Sequence, residues 1–409
     1  MAHTLPRSGR LPDSAALYLL ASLVVSLLAS SSAPTPLYAH YQEQWGFSPI
    51  TTTVVFGVYA VSALAALLVL GKLSDHLGRR PVLLVALVVQ AAAMLVFATA
   101  DGVGALLVAR VMQGVAIGAS LGALGAGMLD LDARRGQLAN AVAPGIGTAV
   151  GALFSALLVR YLPAPTELVY LVLLAVFLVQ GLGIALMRET VSRAPGALAS
   201  LRPEITLPAA MRPRVLTAAP VLFAVWALAG LYGALGPALV AKLGGGGSPL
   251  LGGLALFTMA GAAALATVVL RNRSPEFTMR TGVFALIIGV AVTLIALPIG
   301  TLPLFFLGTA IAGVGFGAGL QGSLRTSVPL ARPHERAGVL SLLFVVSYLG
   351  FGLPAVAAGV LVVHGPGLVG ATLLYGGVLI ALGVLALVRL FTPAPTVPAG
   401  DPEPALSRL

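Results

Sequence analysis

The chain has 409 residues, of which 58% are hydrophobic and only 9% charged, and its mean hydropathy is +1.03. That balance excludes a soluble globular domain, and the lack of cysteine excludes disulfides and thiolate metal sites. The net charge of +10 fits either nucleic-acid binding or the sided charge of a membrane protein, and the positions of the basic residues separate the two.

About 20 apolar residues cross a bilayer core of ~30 Å. Twelve segments meet that length, at roughly 15–39, 49–71, 81–100, 103–129, 136–160, 167–187, 215–240, 249–270, 281–299, 303–326, 337–363 and 367–390. Strands of a membrane barrel alternate apolar and polar residues, whereas Val82 to Ala98 does not alternate. Arg7 and Arg10, followed by an apolar run ending in Ala29-Ser30-Ser31-Ser32-Ala33, have the outline of a cleavable leader. Cleavage there would set Pro34 beside the scissile bond, so the first run is expected to remain a helix. With the N-terminus placed in the cytoplasm, twenty of the 23 basic residues lie in inward segments. Arg160 and Lys242 lie outside and Arg110 lies within a span. This is the positive-inside pattern: both termini are expected in the cytoplasm, the basic charge is topological, with anionic lipid its natural contact, and no nucleic-acid partner is implied.

Between the second and third spans stands Gly71-Lys-Leu-Ser-Asp75-His-Leu-Gly78-Arg79-Arg80-Pro81. The two glycines permit a tight reversal, Asp75 can face a helix N-terminus, and Arg79 can pair with Asp130 at the neighbouring end of the fourth span. Within that fourth span, Arg110 occupies a depth where a charge costs ~2.5–3.5 kcal/mol to insert, so it must avoid lipid. Two readings stay open: it lies in or beside a transport path, or backbone carbonyls of the first span near Pro34 and Pro36 satisfy it. Gly114, Gly118 and Gly122 recur every four residues, the spacing for close helix packing. The fifth span carries Ala143-Pro144-Gly145 with Gly147 and Gly151. None of the thirteen acidic residues falls in the middle of a span.

The longest polar interval, from about Arg188 to Arg214, holds four prolines and five arginines and separates six spans from six. The implied organisation is an N-terminal tail (1–14), a six-helix bundle (15–188), a linker (189–213), a second six-helix bundle (214–391) and a proline-rich, disordered tail (392–409). A repeat supports the division. Gly114-Val-Ala-Ile-Gly118-Ala-Ser-Leu returns 199 positions later as Gly313-Val-Gly-Phe-Gly317-Ala-Gly-Leu. The same offset carries the Gly71 loop onto Leu270-Arg-Asn-Arg-Ser274, which has lost the Asp. Parallel duplicated halves predict that register.

On these residues the chain resembles the major facilitator superfamily over nearly its whole length. The Gly71 to Pro81 loop resembles the signature between helices 2 and 3, Arg110-Val-Met-Gln113-Gly114 with Gly118 the helix 4 motif, and the Pro144 region loosely the helix 5 motif of proton-coupled antiporters. The resemblance implies an all-α membrane fold of twelve transmembrane helices in two pseudo-symmetric six-helix bundles. It also implies a latch of Gly71, Asp75, Gly78, Arg79, Arg80 and Asp130 that joins the two halves on the cytoplasmic side in the outward-facing state, where Asp75 would face helix 11. The cavity it implies is lined by helices 1, 4, 7 and 10, which makes Ser26, Ser30, Arg110, Gln113, Trp226, Tyr232, Gln321 and Tyr348 the candidates for the transport path. For Gly114, Gly118, Gly122, Pro144, Gly147 and Gly151 a packing role is expected.

The mid-membrane carboxylate common in the superfamily's proton-driven drug antiporters is missing, so proton coupling stays open. The expectation is a secondary transporter of the bacterial inner membrane, moving a small organic solute as an exporter and working as a monomer without cofactor or metal. An uncoupled facilitator or importer is the rival on the same fold. A membrane enzyme or sensor is the rival of another class, and no metal-spaced cluster or nucleophile with a buried base supports it.

Overall fold

Every long apolar run is helical in the computed structural model, which describes residues 10–246, 248–332 and 335–391. The tail from Thr392, expected to be disordered, and Arg7 lie outside the described residues. The helices are α1 (Asp13–Ser32), α2 (Tyr38–Trp45), α3 (Pro49–Leu70), α4 (Leu73–Leu77), α5 (Arg79–Ala98), α6 (Val103–Leu131), α7 (Ala133–Tyr161) and α8 (Pro165–Leu186). After the linker come α9 (Arg212–Ala234), α10 (Gly236–Leu243), α11 (Pro249–Leu270), α12 (Pro275–Ile299), α13 (Leu302–Ser327), α14 (Arg336–His364) and α15 (Gly367–Phe391). Among the described residues there is no strand, and twelve helical segments are long and apolar enough to cross a membrane. The chain is an integral membrane protein.

Proline and glycine set many of the boundaries. Pro49, Pro165, Pro249 and Pro275 stand at first helical positions, where the missing N–H has no partner to lose. Gly46 and Gly300 end α2 and α12 in the left-handed conformation. The first span runs further than the sequence suggests, to Trp45 rather than 39, because Pro34 and Pro36 interrupt it with a 3-10 turn at Thr35–Leu37 without ending it. The seventh span breaks at Leu235 into α9 and α10. The third span begins at Arg79, so Arg79 and Arg80 belong to its first turn rather than to the preceding loop.

One apolar core forms among α1 to α8, around residues such as Leu20, Leu83, Phe97, Leu124 and Phe177. A second forms among α9 to α15, around Leu228, Tyr232, Val290, Phe305 and Leu379. Val85, Val88, Val179, Leu182, Leu265 and Leu353 are 65–70% exposed. Bilayer covers such residues, since backbone hydrogen bonds are closed within each helix and only apolar side chains meet the lipid.

The two cores meet along two seams, α3 against α14 and α7 against α11. On the first seam a Cβ on Gly57 would lie 2.9 Å from Val356 Cγ2, and one on Gly352 would lie 3.3 Å from Ala60 Cβ. On the second, a Cβ on Gly253 would lie 2.7 Å from the Ala152 carbonyl oxygen. These contacts fall in the halves of the helices remote from the arginine-rich loops.

The repeat is visible as packing. A Cβ on Gly114 would meet the Tyr59 carbonyl oxygen at 2.8 Å, and one on Gly118 would overlap the Ala63 carbonyl, so α6 lies directly on α3. In the second half Gly313 and Gly317 set α13 on α11 in the same way, at the carbonyls of Met259 and Ala263. Such close helix approach is what small residues permit in a bilayer. Gly122 continues the row against the Gly71 carbonyl at 2.6 Å, while Gly147 and Gly151 bring α7 onto α1 at Val25 and Ala29. Pro144 lies inside α7.

Candidate functional site

At the arginine-rich end, the Gly71 to Pro81 loop folds around Arg79. Its buried guanidinium pairs with Asp75, donates to Ser74 Oγ at 2.8 Å and reaches Asp130 at 3.4 Å. Gly78 has φ +104°, a conformation that favours glycine. Gly71 is ordinarily helical (φ −58°, ψ −30°), so the reversal uses one of the two glycines. Asp75 stands in the first turn of α4, and the N-terminus of α5 is met by Glu189, accepting from the backbone N–H groups of Arg79 at 2.8 Å and Arg80 at 3.1 Å. Negative charge at that N-terminus is stabilised by the helix dipole. In this conformation the cluster is closed within the first half.

Arg110 is 1% exposed. It donates to Tyr38 Oη from both Nε (3.0 Å) and Nη2, and from Nη1 to the Ser31 carbonyl at 3.0 Å and Gln113 Oε1 at 2.6 Å. The rings of Tyr38, Tyr59 and Phe97 stand 5.4–5.8 Å from the guanidinium carbon. Gln113 Nε2 donates to the Ser30 carbonyl at 2.9 Å. Gln90 donates to Ser30 Oγ at 2.9 Å, and Ser26 Oγ to Gln180 Oε1 at 2.8 Å. These polar residues join α1 to α5, α6 and α8. None of Ser26, Ser30, Arg110 and Gln113 lines the cavity described next.

That cavity, of about 900 Å³, lies between the halves at the arginine-rich end. Its walls come from the start of α7 (Arg134 to Gly145, Pro144 included), the end of α11 with the following loop (Ala263 to Asn272) and the later part of α13 (Phe316 to Arg325). Of the residues expected on the transport path, Gln321 lines it directly. Trp226 and Tyr348 stand one layer deeper. Trp226 packs edge-on to the lining Phe316 at 5.9 Å, stacks on Tyr348 at 5.5 Å and meets Phe351 at 5.5 Å. Phe351 crosses the seam to Phe56 at 4.6 Å and Tyr59 at 6.4 Å. This aromatic layer links α13 and α9 to α14 and, across the seam, to α3. Tyr232 is away from the cavity, 3.0 Å from the hydroxyls of both Thr293 and Thr309.

The family model described as Major Facilitator Superfamily matches residues 19–353. The chain belongs to that superfamily. As a facilitator-superfamily protein it is a transporter of small solutes rather than an enzyme, and solved structures share its fold. A point variant of the nucleoside transporter NupG superposes with a TM-score of 0.68 at 14% identity, covering 92% of this chain and 99% of that one. The human organic anion transporter MFSD10 (TETRAN) gives 0.68 at 19% identity, covering 93% and 100%. No curated protein matches the sequence.

Two partners of this facilitator's signature loop escaped the sequence reading. Glu189 opens the linker, and nothing in its spacing ties it to Arg79, 110 positions away. The linker itself lies on the loop: Ala194 N–H donates to the His76 carbonyl at 3.1 Å, His76 Nδ1 lies 2.9 Å from the Pro195 carbonyl oxygen, and Lys72 pairs with Glu204. An interval rich in proline and arginine signals a boundary, and only its scattered acids hinted that it also binds.

Proposed function

We propose that this chain is a secondary transporter of the bacterial inner membrane that exports a small organic solute by alternating access, working as a monomer. The arginine-rich end then faces the cytoplasm, and the structure stands in an inward-open state. The observation that carries the reading is the cavity of about 900 Å³ between two halves that touch tightly at the opposite end. A site reached from one side and sealed from the other by two pseudo-symmetric bundles is what a rocking mechanism requires. A volume of this size suits a small organic molecule, and the two structural neighbours are named for nucleosides and organic anions.

Proton coupling has less support than transport. Four arginines and, among the described residues, no Asp or Glu line the cavity, which favours as a second reading an uncoupled facilitator or importer. Imposing a pH gradient on vesicles separates the two, since an antiporter must respond to it in sign.

The chain has no cysteine, so a disulfide can be placed without competition. Gly57→Cys with Val356→Cys bridges the closed end, where a Cβ on Gly57 lies 2.9 Å from Val356 Cγ2. Oxidation should abolish solute flux in proteoliposomes and reduction should restore it. Undiminished flux through the oxidised protein would rule out rocking about this seam.

A further inference from the structure

We infer that the cargo of the cavity is an organic anion whose acid group is held by Arg325, beside Gln321, with its apolar body against Phe316. This rests on the reading of the cavity as a transport site and adds the charge of what enters it.

Four guanidinium groups converge on the cavity from both halves, Arg134 and Arg135 from α7 and Arg271 and Arg325 from the α11 end and α13. Arg135 has Asp132 at 3.7 Å. Among the described residues no carboxylate pairs with the other three. Low-dielectric walls focus such a field, raising the local concentration of anions and repelling cations.

Sidedness of charge accounts for arginines at this end of the helices. It does not account for how Arg325 is held. Arg325 lies in the last turn of α13, where Nη2 donates to the Arg273 carbonyl at 2.9 Å, and Nη1 is buried without a partner. One turn earlier, Gln321 donates Nε2 to the Thr267 carbonyl at 3.2 Å and leaves Oε1 buried and unpaired. Leaving a buried polar atom unsatisfied is costly, and more so when it is charged. Both atoms belong to residues one helical turn apart on the cavity wall, and a turn of either side chain toward the cavity lets a ligand satisfy it: an acid oxygen accepts from Nη1, and a hydroxyl or N–H near it donates to Oε1. Above them stand Phe316, Leu320 and Ala263, an apolar surface for the rest of the molecule.

Two probes of matched body and opposite permanent charge test the inference: 3-phenylpropane-1-sulfonate and trimethyl(3-phenylpropyl)ammonium. Thermal unfolding of the purified protein and flux into proteoliposomes are measured for each. The sulfonate should raise Tm and enter saturably, and Arg325→Gln should weaken both effects about tenfold, while Arg160→Gln, in the last turn of α7 and away from the cavity, changes them less than threefold. The ammonium should do neither. Equal response to both probes, a preference for the ammonium, no response to the sulfonate, or an undiminished response in Arg325→Gln would each overturn the inference. The disulfide across Gly57 and Val356 keeps the two readings apart. Flux of either probe that the disulfide blocks leaves the transport reading standing when charge selectivity fails. Flux indifferent to the disulfide removes the transport reading itself.

Discussion

The two halves share a helix-packing scheme and differ in where they place charge. Gly114 and Gly118 seat α6 on α3 as Gly313 and Gly317 seat α13 on α11. At the next position of the repeat, Arg110 of α6 donates to Tyr38 of the first span, whereas its counterpart 199 positions on, Thr309 of α13, donates to Tyr232 of the seventh. The same helices are tied at the same level, by a cation in one half and by hydroxyls in the other. The loops diverge likewise. Arg79 is held by Asp75, Asp130 and Ser74, while in the second half Ser274 caps α12 through the Phe277 N–H at 3.3 Å and Arg325 reaches a backbone carbonyl. Small residues are constrained by geometry that both copies need. Charge is free to specialise, and the second half has left an arginine facing the cavity.

The largest expected effect tests the shared part. Gly118→Leu and Gly317→Leu each drive a side chain into a backbone carbonyl that cannot move aside, so each should cost about 3 kcal/mol or more and abolish monodisperse protein on gel filtration. Tolerance of one alone would break the symmetry of the packing. Next, Arg110→Ala removes a guanidinium with four hydrogen bonds and three aromatic neighbours, a loss of about 3 kcal/mol, whereas Thr309→Ala should cost about 1 kcal/mol. Thermal unfolding in detergent reads the difference, and equal costs would contradict the asymmetry described above. Arg79→Ala leaves Asp75 and Asp130 without their common partner. Both carboxylates are partly exposed, at 56% and 32%, so about 2 kcal/mol is expected, together with impaired flux. Smallest are the caps: Glu189→Gln and Ser274→Ala should each cost about 1 kcal/mol. Only the first should loosen the signature loop, seen as faster hydrogen exchange at Arg79 and Arg80.

Much of the fold was legible because a bilayer reads length and hydropathy with little ambiguity, and the largest shifts in span bounds lie beside prolines. Pro34 and Pro36 mark an interruption, and sequence alone does not tell an interruption from an end. Arg79 with Asp130 was legible from charge and topology together. The transport path was much less so. Depth in a helix can be counted along the chain, but the direction a side chain faces depends on neighbours distant in sequence. Thus Ser26 and Gln113 are committed to Gln180 and the Ser30 carbonyl, while Gln321, on the expected helix, does meet the cavity. Along the chain Arg134, Arg271 and Arg325 mark only sidedness, and their convergence exists only once the halves are assembled.

The linker grips both halves at points two residues apart. Glu204 holds Lys72 in the first, and the Thr206 N–H donates to the Gly338 carbonyl in the second at 3.5 Å. Two residues of fully extended chain span about 7 Å. With both grips closed, that stretch of backbone is a short leash between the bundles, so any larger excursion at this end must first let go of one of them.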